Sequence, residues 1–144
     1  MRRYFSGCLA GFALLVVGCK EDSDLAPGRT LLNTRWKLAY MGDFPLLASS
    51  YSYDADSYIE FRANNLVSGL ATCTAFSGKF TYAPTTQQVS LEPLTLATPT
   101  CSSPTVAARY LAALPTIVRY EVANGSLRLY DAQSPEPQLV FQAE

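Results

Sequence analysis

Histidine does not occur anywhere in the 144 residues. Its absence excludes Ser-His-Asp and Cys-His nucleophile systems, HExxH zinc sites and imidazole acid–base chemistry. An excess of one charge is lacking too. Eleven Lys+Arg stand against 12 Asp+Glu, a formal −1, and the basic residues are scattered singly, so there is no field to hold nucleic acid. The phosphate-cradling GxGxxG and P-loop patterns and the GxSxG elbow are missing, and no two acids form a glycosidase-like motif. Asp54-Ala55-Asp56-Ser57 has the spacing that opens some Ca²⁺ loops. A full EF-hand loop would place Gly where Ile59 stands and Glu where Asn65 stands, so this stretch reads as a surface loop. Together the absences point to a non-enzymatic protein with no catalytic residue, no metal and no cofactor.

The only long apolar run is at the start. Met1-Arg2-Arg3 is a positively charged leader, and Tyr4 to Val17 is apolar with small residues interspersed. The run falls short of the roughly 20 residues that span a bilayer, so it reads as a signal peptide. It ends in Leu15-Val16-Val17-Gly18-Cys19, which resembles a bacterial lipobox. Residues 1–18 are then the signal peptide, Cys19 the lipid attachment site, and 19–30 a tether to a domain at 31–144. Two or more acyl chains make such anchoring stable. Lys20-Glu21-Asp22-Ser23-Asp24 resembles the Lys-plus-acidic export tag of surface-exposed lipoproteins in the Bacteroidetes group. The expected location is the bacterial outer membrane, with display at the cell surface, and the expected partners are the membrane through the lipid and an envelope protein or glycan. Losing Arg2 and Arg3 with the leader lowers the formal charge from −1 to −3.

Of the four cysteines, Cys8 leaves with the leader and Cys19 takes the lipid, which leaves Cys73 and Cys101. In an oxidising envelope compartment two such residues pair, and their spacing has no CxxC redox character. The bridge would close a loop of roughly 29 residues, worth about 3–4 kcal/mol in the chain-entropy model.

Past the tether, Thr34 to Tyr40 alternates, with Trp36, Leu38 and Tyr40 on one face and Arg35 and Lys37 on the other. Met41 to Ser57 is a long loop. Strands are expected at 58–61 and 66–72 around an Asn64-Asn65 turn, then at 79–82 after a break at Ser77-Gly78. Another strand region runs from Val89 to Leu96, interrupted at Pro93. One helix follows: Ser103 caps it, Pro104 opens it, Val106, Tyr110 and Leu114 form its stripe with Ala107 and Leu111, and Pro115 stops it. Asn124-Gly125 is the signal of a type I′ turn, which puts Val122 opposite Leu127, Tyr120 opposite Leu129 and Glu121 opposite Arg128. Gln138 to Gln142 is the last strand. The fold class is α+β: an antiparallel, strongly curved sheet or partly open barrel of seven or eight strands, with one helix packed at its end. Tyr51, Tyr53 and Tyr58 cluster around the long loop, where rigid amphipathic rings suit glycan or protein recognition. The chain is expected to be a monomer.

Leu32-Asn33-Thr34-Arg35-Trp36-Lys37-Leu38 resembles the L-x-[GN]-T-x-W-x-L opening of the META domain family. Gly69 followed by Cys73-Thr74-Ala75-Phe76-Ser77-Gly78-Lys79-Phe80 resembles its G-x-x-GCNxFSGxY core, and Thr98-Pro99-Thr100-Cys101 its Thr-rich segment ending in a second Cys. The likeness spans residues 31–142. Thr74 replaces the usual Asn, Ala71-Thr72 a Gly-containing approach, and Ala107 a helix Glu. The resemblance implies an association with envelope stress and no established catalysis. It gives Trp36, Phe76, Ser77, Gly78 and Phe80 scaffold roles, with Ser77-Gly78 at a tight bend and the Cys73 bridge tying that bend to the helix entrance. A lipocalin-like carrier of a small hydrophobic ligand is the alternative, since Thr34-Arg35-Trp36 sits where lipocalins carry Gly-x-Trp. It would require a central apolar cavity.

Overall fold

The computed structural model describes residues 30–45, 57–100 and 104–144. Ten strands and one helix follow in chain order: β1 (Arg35–Met41), β2 (Phe44–Pro45), β3 (Tyr58–Phe61), β4 (Leu66–Ala71), β5 (Thr74–Ala83), β6 (Gln88–Leu91), β7 (Thr95–Leu96), α1 (Pro104–Ala113), β8 (Ile117–Ala123), β9 (Ser126–Asp131) and β10 (Leu139–Ala143). A 3₁₀ turn at Leu114–Thr116 links α1 to β8.

Every strand pairing is antiparallel, and the curved sheet closes into a barrel. Its eight strands run in the order β10-β9-β8-β6-β5-β4-β3-β1, and β10 returns to pair with β1. β2 adds to β1, and β7 adds to β5 beyond the end of β6. Closure removes the free edges that an open sheet would present. The thinnest seam is between β6 and β8, where one residue pair, Gln88 with Arg119, carries the ladder.

Alternation along the strands fills the interior. Trp36, Leu38, Ile59, Phe61, Val67, Phe76, Phe80, Leu127, Leu129, Leu139 and Phe141 form one buried cluster with Ala107, Tyr110 and Leu114. The edge of the Phe61 ring meets Phe80 at 4.9 Å between centroids, and Tyr110 lies 6.0 Å from Phe141. The β8–β9 hairpin has the expected register: Tyr120 faces Leu129, Glu121 faces Arg128, and Val122 faces Leu127. Asn124 and Gly125 take positive φ values of 52° and 73°, the pair a type I′ turn requires.

Three local expectations are corrected. Tyr40 does not share the face of Trp36 and Leu38. The β1–β10 register shifts between Leu38 and Tyr40, so Ala39 is the extra residue of a bulge and Tyr40 turns outward, 42% exposed. Ser77-Gly78 is no bend, because β5 runs unbroken through it and pairs with β4 and β7 on either side. Gly78 instead leaves room for Leu94: a Cβ there would lie 2.9 Å from the Leu94 Cδ2 atom. Along α1 and the 3₁₀ turn after it, the buried stripe is Ala107, Tyr110 and Leu114, with Val106 and Leu111 at its margins.

Candidate functional site

Two regions of the barrel gather the singled-out residues. The first is the end that α1 covers. Tyr110 projects from the helix into the core, where its hydroxyl donates to the Tyr58 carbonyl oxygen at 3.1 Å. Its ring meets Phe76 edge-on, 5.8 Å between centroids at 81°. Phe76 fits there because its cross-strand partner is Gly69. A Cβ on Gly69 would collide with the Phe76 ring and the Tyr58 carbonyl oxygen. Burial, and after it the neighbouring Tyr58, hold the Tyr110 phenol well above its ordinary pKa.

At the same end, the two-residue turn Thr72-Cys73 joins β4 to β5. Only the first of these residues, Thr72, has positive φ (55°), the pattern of a II′-like turn whose first position favours glycine. Thr72 is 5% exposed, and its Oγ1 atom has no hydrogen-bond partner among the described residues. Its amide is satisfied, donating to the Oγ of fully buried Ser57 at 2.9 Å, while the Ser57 carbonyl accepts from Leu38. Cys73 is disulfide-bonded. Its carbonyl accepts hydrogen bonds from both the amide and the hydroxyl of Thr100, at 3.0 and 3.2 Å.

The second region is the outer face of β1, β3, β4 and β5. Arg35 lies over the Tyr58 ring, 4.3 Å from its centroid, and donates to Glu60 at 2.6 Å. The pair is exposed, so it orients side chains more than it stabilises the fold. Glu60 also lies 3.5 Å from Arg62. Alongside runs a shallow groove of about 430 Å³ lined by Arg62, Leu66, Val67, Ser68, Ser77, Gly78, Lys79 and Thr95.

The marked residues therefore divide by face. Trp36, Phe76 and Phe80 are core residues, and the Trp36 indole N–H donates to the Leu31 carbonyl at 3.1 Å. Ser77 is exposed on the outer face, with the half-buried Tyr58 two strands away. Cys19, Cys101, Tyr51, Tyr53 and the Asp54-Asp56 pair lie outside the described residues. Among those described, no three His, Cys, Asp or Glu side chains converge on a metal-sized site, and no helix is long and apolar enough to cross a membrane. The strain at Thr72 and the grouping of Arg62 with Lys79 are not evident from the sequence pattern. The first had a signal, a β-branched residue between two strands where the turn calls for glycine. The second emerges only when the β3–β4–β5 registers are known.

Fold and site define a class: a small closed antiparallel barrel, filled by its own side chains and covered at one end by a single helix. The META domain model matches residues 29–144, and the chain belongs to the META domain family. Among solved structures, the crystal structure of a DUF4847 family protein from Bacteroides vulgatus is similar at a TM-score of 0.57 with 14% identity, covering 78% of this chain and 92% of that one. An NMR structure of a protein from Burkholderia xenovorans is similar at a TM-score of 0.57 with 21% identity, covering 83% and 87%. At these identities the likeness is one of fold. No curated protein matches the chain.

Proposed function

We propose that this META-domain protein is a non-enzymatic, lipid-anchored component of the bacterial envelope that works by binding an envelope protein or glycan. The observation that carries this reading is the fate of the motif. Trp36, Phe76 and Phe80 are consumed by the core, so recognition falls to the outer face of the barrel. The leader, the lipobox at Leu15–Cys19 and the polar stretch after it support outer-membrane anchoring with the domain at the cell surface. Absence of histidine supports a role without acid–base catalysis.

The carrier alternative is less well supported, because a lipocalin-like ligand would need the volume that Trp36, Phe61, Phe80, Tyr110 and Phe141 occupy. Metabolic labelling with an alkyne fatty acid tests the anchor. Label should enter the wild-type chain and be absent from Cys19→Ala; label persisting in that variant overturns anchoring at this residue. Crosslinking and pull-down from the native envelope tests the binding role, with one reproducible partner expected.

A further inference from the structure

The groove on the outer face is ordered in rows that cross the strands. Arg62 N–H donates to the Leu66 carbonyl at 2.9 Å, and Leu66 is paired with Lys79. Arg62, Leu66 and Lys79 thus form one row across β3, β4 and β5. One step along the strands lies a second row: Glu60 pairs with Ser68, Ser68 with Ser77, and Ser77 with Thr95 of β7. Pleating sends paired residues to the same side, so both rows face solvent in the same groove.

The first row sets two cations on either side of an apolar side chain, two interstrand spacings of about 4.8 Å apart. Lys79 has no ion pair among the described residues. Arg62 is held only loosely: its NH2 group is 3.5 Å from a Glu60 oxygen, while the other Glu60 oxygen takes Arg35 at 2.6 Å. Glu92 adjoins Lys79 through a backbone hydrogen bond but forms no ion pair with it. The second row offers three hydroxyls, and none of them is hydrogen-bonded among the described residues. Between the cations, Leu66 is 41% exposed and presents an apolar surface to the groove.

We infer that this groove binds an anionic saccharide. A carboxylate, sulfate or phosphate group lies between Arg62 and Lys79, the C–H face of a sugar ring rests on Leu66, and ring hydroxyls bond to Ser68, Ser77 and Thr95. An oxyanion matches a lysine without an ion pair and an arginine that shares its Glu60 contact with Arg35, and a polyol matches the row of unbonded hydroxyls. The inference deepens the binding role proposed above and rests on it. It names the face and the chemical class of the ligand.

The test is calorimetric titration of the purified full-length protein in neutral detergent with four probes: a uronate oligosaccharide, a sulfated oligosaccharide, a neutral maltooligosaccharide and inorganic phosphate. At least one anionic oligosaccharide should bind at least tenfold more tightly than both the neutral sugar and phosphate; which one does identifies the source of the charge. Arg62→Ala/Lys79→Ala should weaken that binding at least tenfold, and Arg109→Ala, an exposed helix residue away from the groove, should not change it. Both groove cations are exposed, and an unchanged Trp36 emission spectrum checks that the variants are folded. Equal affinity for the neutral sugar, equal affinity for phosphate, no binding of any probe, or full affinity in the double variant overturns the inference. A partner recovered from the envelope that still binds the double variant would overturn the groove while leaving the general binding role intact.

Discussion

Replacing Thr72 by glycine should make this protein more stable, against the usual direction of a large-to-small change at a buried position. Thr72 sits at φ 55°, is 5% exposed, and keeps an Oγ1 atom with no hydrogen-bond partner among the described residues. A left-handed conformation costs an L-residue about 1–2 kcal/mol, and a β-branched side chain sits at the unfavourable end. A buried hydroxyl without a partner costs about 1–3 kcal/mol. Glycine removes both penalties. Against this stand about 0.5–1 kcal/mol of extra backbone entropy in the unfolded chain and about 1 kcal/mol for the lost methyl burial. The balance favours glycine by about 1–2 kcal/mol. For a domain of this size that raises Tm by about 4–8 °C.

Urea unfolding followed by the emission of Trp36, the one tryptophan and fully buried, measures the change. The midpoint should rise with the m-value unchanged. Thr72→Val separates the two causes, since it keeps the branch and removes only the hydroxyl. It should recover about 1 kcal/mol, the orphan hydroxyl alone. A loss of stability in both variants at constant m would refute the reasoning, because it would mean that the Oγ1 atom holds a partner worth more than the strain.

Gly69→Ala should destabilise the domain by about 3 kcal/mol or more, read by the same unfolding curve, because its Cβ has nowhere to go between the Phe76 ring and the Tyr58 carbonyl. Tyr110 makes stability fall at high pH. Its folded pKa is raised by burial above the unfolded value of 10.0, so its contribution is intact below pH 10 and is lost above it, as the unfolded chain alone ionises. Tyr110→Phe should reduce the slope above pH 10 by about 1.4 kcal/mol per pH unit while lowering neutral-pH stability by about 1–2 kcal/mol through the bereft Tyr58 carbonyl. The oxidised mature protein should show no alkylatable thiol by mass spectrometry without reductant, and Cys73→Ser should cost about 3–4 kcal/mol. Modification of Cys101 in the unreduced protein would contradict its pairing with Cys73.

How much of this was legible from residues alone depends on how local the determinant is. The Asn124-Gly125 hairpin was readable to the residue pair, since a two-residue turn fixes the register of both strands. The 58–61 strand and the one expected at 66–72 were readable because Asn64-Asn65 punctuates them, although the second ends at Ala71 and Thr72 belongs to the turn; Asn65 takes a φ of 61°. Tyr40 was misplaced because a bulge adds one residue, and with a period of two one residue reverses the face. The choice of Ala39 as that residue is set by β10, a hundred positions downstream, and no local pattern carries it. Ser77-Gly78 misled for a related reason. Glycine can mark a turn or a close approach, and the distinction here lies in Leu94, which comes from another element. The cations of the groove were seen singly because sequence distance hides their adjacency: Arg62 and Lys79 become neighbours only through the pairing of Leu66 with each strand beside it.

The β5 strand shows why a family motif so readily yields the shape of this protein and withholds its partner. Its even positions, Thr74, Phe76, Gly78 and Phe80, turn inward, and its odd positions, Ala75, Ser77 and Lys79, are exposed. Inward residues answer to a barrel whose eight strands must close on a fixed volume, so a change at Phe76 or Gly78 is felt by Tyr110, Gly69 or Leu94. Outward residues are less constrained by packing, because closure pairs the strands of the barrel with one another whatever side chains face solvent. Ser77 belongs to the motif by position, and its exposed hydroxyl has no hydrogen-bond partner among the described residues. It is a point at which the scaffold block borders the outer groove, beside Gly78 and Lys79.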